Sequence, residues 1–174
     1  QQMKFNILAA LVAFALSGAV SAENRAVGQY GIGANDNPSS FGVNAEYDFF
    51  AVDSVDFFVT GGIQNFTGNN AVADASYTAG VGAQFPLSFD DRYLLKVQYN
   101  YSWLSGTENV DSGQASFVFD GDLWRFSAQS AYGKDWFNGV TAERAIGAGF
   151  AGGVGSFWRN SEYAQTSLFV SYTF

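Results

Sequence analysis

The chain contains no cysteine and no histidine among its 174 residues, and only two prolines. Without cysteine it cannot form a disulfide or a thiolate metal site, and without histidine it lacks the commonest general base and metal ligand. Charged residues are scarce at 14%, whereas aromatic residues reach 18%. That balance leaves too few charges to cover a water-soluble domain and too many large apolar groups for a disordered chain. We expect part of the surface to face something other than water, and we expect no enzyme, no metal and no cofactor.

The N-terminal segment has the pattern of a secretory signal peptide. The two residues before Met3 are set aside as an expression remnant or an upstream start. Lys4 supplies the positive charge, and residues 5–20 form an apolar stretch of 16 residues, shorter than the roughly 20 that a spanning helix needs. Small residues then favour cleavage after Ala22. Residues 1–22 are predicted to be remnant plus cleavable signal peptide, and residues 23–174 a single domain.

The predicted mature chain is strongly acidic. Residues 23–174 carry seven basic and sixteen acidic side chains, a formal net charge of −9, and the basic residues do not cluster. Nucleic-acid binding needs clustered Lys and Arg to displace the counterions of the phosphate backbone. We therefore expect no nucleic-acid partner.

The mature chain alternates between apolar and polar residues with a period of two, the pattern of β-strands, and shows no helical stripe. Residues 41–49 are the clearest case, because every second residue from Phe41 to Phe49 is apolar. Eight such segments are predicted, at residues 25–34, 41–49, 55–64, 76–85, 93–103, 115–119, 124–132 and 164–174.

None of the eight apolar faces carries a charged residue. A Lys or Arg facing lipid at the bilayer midplane would cost about 2–4 kcal/mol, so this absence is expected of a face that touches lipid. The other face is rich in Gly, Ser, Gln and Asn, which suits a polar lumen. The pattern predicts an all-β protein, a closed antiparallel up-and-down transmembrane β-barrel, and disfavours a soluble sandwich or lipocalin-like barrel.

The connections indicate how the barrel is oriented. Those after the second, fourth and sixth predicted strands are short, whereas the others are longer, which places both termini in the periplasm. Residues 134–162 do not fit this scheme and could form a projecting hairpin, a plug or two further strands. We expect eight strands, because about 19 residues per strand and connection suits spans of 9–11 residues, with ten strands as the alternative.

Charged residues on the predicted inner face fall in the periplasmic half of the barrel. They are Arg25, Glu46, Asp48, Asp56, Lys96 and Arg125. In a narrow barrel opposite charges should pair, either as a packed, salt-bridged core or as a gate.

The predicted loops are mostly acidic, with Asp36, Asp74, Glu108, Asp111, Asp135, Glu143 and Glu162 against Lys134, Arg144 and Arg159. Trp136 and Phe137 are candidate partner-binding residues in the loop that follows the seventh predicted strand, because aromatic side chains often anchor interfaces.

The C-terminal residues resemble the assembly signal of Gram-negative outer-membrane barrels. Phe174 ends the chain, and Leu168, Val170 and Tyr172 precede it at every second position. The resemblance implies recognition by the barrel-assembly machinery.

By its pattern the whole mature chain resembles small eight-stranded outer-membrane proteins of the OmpX, Ail and OmpA-transmembrane type. The resemblance implies a non-enzymatic barrel with a structural or surface-interaction role. Its expected surroundings are bilayer lipid and lipopolysaccharide, and an envelope or surface protein is a further expected partner. A monomer is favoured over an oligomer. The alternative function is a narrow ion or small-solute channel gated by the lumenal charges, as is thought of the OmpA-like class. A lipid-modifying enzyme is disfavoured by the missing histidine.

Overall fold

The computed structural model describes residues 24–35, 37–67, 74–106 and 108–174, and they form ten antiparallel strands. The strands are β1 (Arg25–Gly33), β2 (Ser39–Val52), β3 (Val55–Thr67), β4 (Ala75–Pro86), β5 (Tyr93–Leu104), β6 (Val110–Asp120), β7 (Trp124–Tyr132), β8 (Trp136–Gly147), β9 (Phe150–Arg159) and β10 (Glu162–Thr173). No helix within these ranges is long and apolar enough to cross a membrane. The predicted signal peptide, residues 1–22, lies outside the described residues, as does Asp36.

Each strand pairs with its neighbour in sequence, and β1 pairs with β10 to close the barrel. The closing seam runs from the pair Arg25 and Thr173 to the pair Gly33 and Gln165. The predicted closed, antiparallel, up-and-down architecture is therefore confirmed. We call the end that holds both chain termini the terminal end, and the opposite end the far end.

The period-two alternation of the sequence places apolar side chains outside and polar ones inside. In β5, Lys96 is 7% exposed and faces the lumen, whereas Val97 beside it is 39% exposed on the outer wall. The outer wall carries nearly all of the exposed large apolar residues of the strands, Tyr30, Phe41, Val43 and Val170 among them. Exposed apolar residues in a continuous band need an apolar solvent, and lipid supplies it.

The prediction of eight strands is wrong, because residues 134–162 contain two strands that it counted as a connection. β8 and β9 pair with each other and with their neighbours along their whole lengths. Two-residue turns join β8 to β9 and β9 to β10, with Ala148 at φ 52° and Gly149 at φ 82° in the first of them. These turns use so few residues that ten strands fit where longer connections would have allowed only eight.

Several residues assigned to loops therefore lie in strands. Glu143 and Arg144 belong to β8, Arg159 to β9 and Glu162 to β10. Arg144 points outward near the terminal end, where its guanidinium lies 5.7 Å from the Trp124 ring. A charge at this height can reach the polar headgroups, so it costs little.

Aromatic side chains line both ends of the outer wall. Near the terminal end Tyr93 contacts Phe119 with ring centroids 5.1 Å apart, and Phe150 contacts Tyr172 at 4.7 Å. Near the far end the rings of Tyr132 and Trp136 lie 4.8 Å apart. Two such girdles mark the two membrane interfaces of a transmembrane barrel.

Candidate functional site

The six charged residues predicted for the lumen all lie on the inner face, in the half of the barrel nearer the terminal end. Cross-strand partners share a face, so the register fixes their orientation. Arg25 pairs with Glu46, Asp56 pairs with Gln84, and Gln84 pairs in turn with the inward Lys96.

One ion pair crosses the lumen between β2 and β5. The Lys96 ammonium donates to the Glu46 carboxylate, although β3 and β4 separate the two strands. The Phe58 side chain of β3 fills the space behind this pair, with the ammonium 4.6 Å from the centre of its ring. Phe58 is fully buried, so the pair and the ring close this side of the lumen together.

A second ion pair crosses the lumen between β1 and β8. The Arg25 guanidinium donates to the Glu143 carboxylate, and β9 and β10 separate their strands. Glu143 is 4% exposed and also accepts a hydrogen bond of 2.6 Å from the Ser171 hydroxyl. The Phe169 ring of β10 packs behind this pair, against the backbone of Gly153.

Glycines on the strands behind the pairs make this packing possible. A Cβ atom at Gly153 would lie 2.6 Å from the Phe169 ring, and one at Gly82 would collide with the Phe58 ring. Each lumenal phenylalanine therefore occupies the room that a glycine leaves on the neighbouring strand. This arrangement repeats on two sides of the barrel.

The two ion pairs belong to one set of lumenal charges that we call the lumenal belt. Its members alternate in sign around the lumen: Lys96, Glu46, Arg25, Glu143, Arg125 and Asp120. Arg25 is the cross-strand neighbour of Glu46, and Arg125 is the cross-strand neighbour of both Glu143 and Asp120. The Arg125 guanidinium lies 3.6 Å from the Asp120 carboxylate.

The belt includes four of the six predicted lumenal residues and two that were not predicted. Asp48 lies beside it, buried, with its backbone N–H donating to the Asn24 side chain at 3.1 Å. Asp56 faces the lumen closer to the terminal end. Glu143 was assigned to a loop and Asp120 to a turn. The alternation of β8, with Val140 and Ala142 on the outer wall, was the signal that could have placed Glu143 inside.

The lumen nearer the far end is lined by amides and hydroxyls instead of charges. Gln64 donates to the Ser40 hydroxyl at 2.8 Å, and Gln98 donates to the Asn100 side chain at 2.9 Å. Thr78 and Ser102 share a hydrogen bond of 2.9 Å. Side chains of this kind can be solvated by water, so this half of the lumen is polar without being charged.

A separate ion-pair cluster, the far-end clip, joins two turns at the far end. Asp135 accepts hydrogen bonds from the Arg159 guanidinium, at 2.9 and 2.6 Å, and from the Asn160 amide at 2.9 Å. The bonds from Asn160 and from Arg159 lower the pKa of the Asp135 carboxyl, because they stabilise its charged form.

The candidate partner-binding residues Trp136 and Phe137 lie at the start of β8 and not in a loop. Trp136 points outward and contacts Tyr132 in the far-end girdle, while Phe137 lies 6.0 Å from the Arg159 guanidinium. Their role in partner binding stays a prediction. Loss of cell-surface binding on replacing both would support it, and unchanged binding would refute it.

Among the described residues, no group of three or more acidic, histidine or cysteine side chains is placed to hold a metal ion.

No protein-family model matches the chain, and no curated protein sequence matches it. Solved structures do match its fold. The KdgM porin aligns with a TM-score of 0.60 at 10% identity, over 86% of this chain and 99% of the porin. The NanC porin aligns with a TM-score of 0.51 at 10% identity, over 88% and 99%. The COG4313 outer-membrane channel from Pseudomonas putida F1 aligns with a TM-score of 0.50 at 9% identity, over 90% and 97%.

These similarities establish the fold as that of a Gram-negative outer-membrane β-barrel, surrounded by lipid and lipopolysaccharide. The chain shares this fold with porin-type channels, which are not enzymes. Two expectations are corrected. The ten strands and the similarity to porins replace the resemblance to the eight-stranded OmpX, Ail and OmpA type. The same similarity favours the channel alternative over the structural or surface-interaction role.

Proposed function

We propose that the protein is a narrow outer-membrane channel for ions and small solutes, and that the lumenal belt is its gate. The observation that carries this proposal is the construction of the belt. Its two cross-lumen ion pairs join side chains on strands that no backbone hydrogen bonds connect. Only side chains close the lumen at this level, and side chains can move without disturbing the barrel wall.

The strand number supports a channel. The diameter of a barrel grows with the number of strands, and eight strands leave an interior just wide enough for side chains to fill. Ten strands leave a wider interior, part of which Phe58 and Phe169 fill against Gly82 and Gly153. The amides and hydroxyls beyond the belt line that interior with groups that water can solvate.

The alternating signs of the belt offer a way for the gate to open. Arg25 lies between two acids, Glu46 and Glu143, and Arg125 lies between Glu143 and Asp120. A cation that leaves one acid can pair with the next, so opening exchanges ion pairs instead of leaving a buried charge alone. Leaving a buried charge without any partner would cost several kcal/mol.

The comparison supports the same class of function. One of the solved structures that share the fold is described as the KdgM porin in complex with disordered oligogalacturonate. We further propose that the termini lie in the periplasm, that the barrel acts as a monomer, and that Leu168, Val170, Tyr172 and Phe174 are read by the barrel-assembly machinery.

Single-channel recording from the refolded chain in planar lipid bilayers tests the gate. We expect small, discrete openings in the unaltered protein. Lys96→Ala and Glu46→Ala each remove one member of a cross-lumen pair and should raise the conductance or the open time severalfold.

The matched control is Asp135→Asn, which breaks an ion pair of the far-end clip outside the gate and should raise neither the conductance nor the open time. Bilayers that remain silent with correctly folded protein would refute the channel. Openings that the belt variants do not alter would refute the gate.

A further inference from the structure

The inner wall at and around the belt carries more acids than bases. Five acidic side chains face the lumen there against three cationic ones, which gives a formal net charge of −2 however the groups pair. The acids are Glu46, Asp48, Asp56, Asp120 and Glu143, and the cations are Arg25, Lys96 and Arg125.

Both mouths of the described barrel have the same sign. The turns at the terminal end carry Asp53, Asp90, Asp91 and Asp122 against Arg92. The described residues of the far mouth include Asp74, Glu108, Asp135 and Glu162 against Lys134 and Arg159. A permeating ion therefore meets negative potential at the entrance, along the narrow part and at the exit.

We infer that the channel selects for cations, and that its natural solutes are inorganic cations or small molecules with a net positive charge. This inference rests on the proposed function and adds the class of solute to it. A low-dielectric wall focuses the field of its fixed charges into the lumen, which concentrates counter-ions there and repels ions of the same sign. Acidic solutes are disfavoured for that reason.

The negative field comes from the exposed mouths and from the buried inner wall, and the ionic strength distinguishes these two contributions. The Debye length is about 10 Å at 0.1 M salt and about 3 Å at 1 M, so high salt screens the exposed mouths first. The charges of the belt itself sum to zero, so the net charge of −2 on the inner wall comes from Asp48 and Asp56 beside it, and Asp48, at 7% exposed, is screened less than the mouths. The preference for cations should therefore weaken in concentrated salt without vanishing.

The reversal potential under a KCl gradient measures this preference as the permeability ratio of K⁺ to Cl⁻. We expect a ratio above one for the unaltered protein, increasing as the salt is diluted. Asp56 faces the lumen outside the belt, so its charge can be changed without removing a member of the gate. Asp56→Asn should lower the ratio and Asp56→Lys should lower it again. Each step should change the ratio roughly sevenfold, because one charge about 7 Å from the ion in a water-like medium changes the occupancy of K⁺ and that of Cl⁻ about threefold in opposite directions.

The matched control is Asp111→Asn, the same change on the outer face of β6, where its cross-strand neighbour is Tyr101. It should leave the ratio unchanged. If Asp56→Lys fails to fold, the permeability ratios of Asp56→Asn and Asp111→Asn are compared instead. Equal ratios in these two variants would overturn the inference. A non-selective or anion-selective current would overturn the inference and leave the channel standing. Absence of any current would overturn the proposed function, and the inference with it.

Discussion

The lumenal belt and the far-end clip are both built from ion pairs, but they differ in what those pairs connect. The clip joins the start of β8 to the end of β9, which backbone hydrogen bonds already hold together, including one of 2.8 Å from the Asn160 N–H to the Trp136 carbonyl. The two cross-lumen pairs of the belt join β2 to β5 and β1 to β8, and two strands lie between the members of each pair. Side-chain pairing is redundant in the clip, whereas no backbone hydrogen bonds connect the strands that the cross-lumen pairs join.

Burial differs in the same direction. The side chains of Glu143 and Lys96 are 5% and 9% exposed, whereas that of Arg159 in the clip is 43% exposed. Exposed pairs contribute little because water and salt screen them, whereas removing one partner of a buried pair leaves a charge without compensation. We therefore expect the belt and the clip to respond very differently to equivalent substitutions.

The largest effect is expected from Glu143→Gln, which leaves Arg25 to share Glu46 with Lys96, so that two buried cations have one acid between them. Loss of one partner of a buried pair costs about 3 kcal/mol at the low end of the usual range. Urea unfolding in lipid vesicles, followed by tryptophan fluorescence, measures it.

The double variant Glu143→Gln with Arg25→Gln is the control, because it removes both charges. It should recover most of the lost stability. A double variant as unstable as the single one would show that burial of Arg25 is not the cause.

A smaller effect is expected from replacing Phe58 and Phe169, the phenylalanines behind the two cross-lumen pairs. Phe58→Leu and Phe169→Leu remove the same side-chain volume, so each should cost a similar amount, below the roughly 3–5 kcal/mol of a Phe→Ala change. Phe58 also lies under the Lys96 ammonium, an interaction of about 0.5–1 kcal/mol that Phe169 does not share in the structure. Phe58→Leu should therefore lower the free energy of unfolding, measured in urea, by more than Phe169→Leu does. Equal decreases would exclude a stabilising interaction between the Lys96 ammonium and the Phe58 ring.

The smallest effect is expected in the clip. Asp135→Asn should lower the free energy of unfolding by less than about 1 kcal/mol, because the pair is exposed. The folded state lowers the pKa of Asp135, so this contribution is present above the ordinary aspartate pKa near 4 and is lost as the pH falls through the lowered value. The difference between variant and unaltered protein should vanish at low pH, and a difference that grows on acidification would contradict this assignment.

The sequence alone predicted the wall of the barrel well, because alternation is a local property. The outward position of Val97 and the inward position of Lys96 follow from a period of two, and the pattern repeats without a break in most strands. The absence of charges from the apolar faces then distinguished lipid from water as the outer solvent.

The number of strands could not be read in the same way. The outer face of β8 includes Asn138 and Arg144, and that of β9 includes Gly152 and Ser156, so neither shows a continuous apolar face. Their turns also lack the usual Asn-Gly or Asp-Gly signal, since the β8–β9 turn is Ala148 and Gly149. The segment therefore resembled a glycine-rich loop.

The pairing within the belt depended on information that no local pattern contains. That Arg25 meets Glu143 follows from the closure of β1 on β10 and from the presence of β8 and β9. With eight strands and a loop, Glu143 had no defined position. The inward position of Arg25, Glu46, Lys96 and Arg125 follows from alternation along their own strands, whereas the position of Glu143 and the pairing of the charges required the strand order.

The seam between β1 and β10 makes the belt an indicator of completed insertion. Arg25 is the first residue of β1, so it can contact Glu143 only after β1 has paired with β10. The Phe174 N–H then donates to the Asn24 carbonyl at 3.0 Å, and the Asn24 side chain accepts from the Asp48 N–H. An unsealed sheet would hold Glu143 without its cation in a forming bilayer pore. Closure of the seam is thus also the step that supplies Glu143 with its cation.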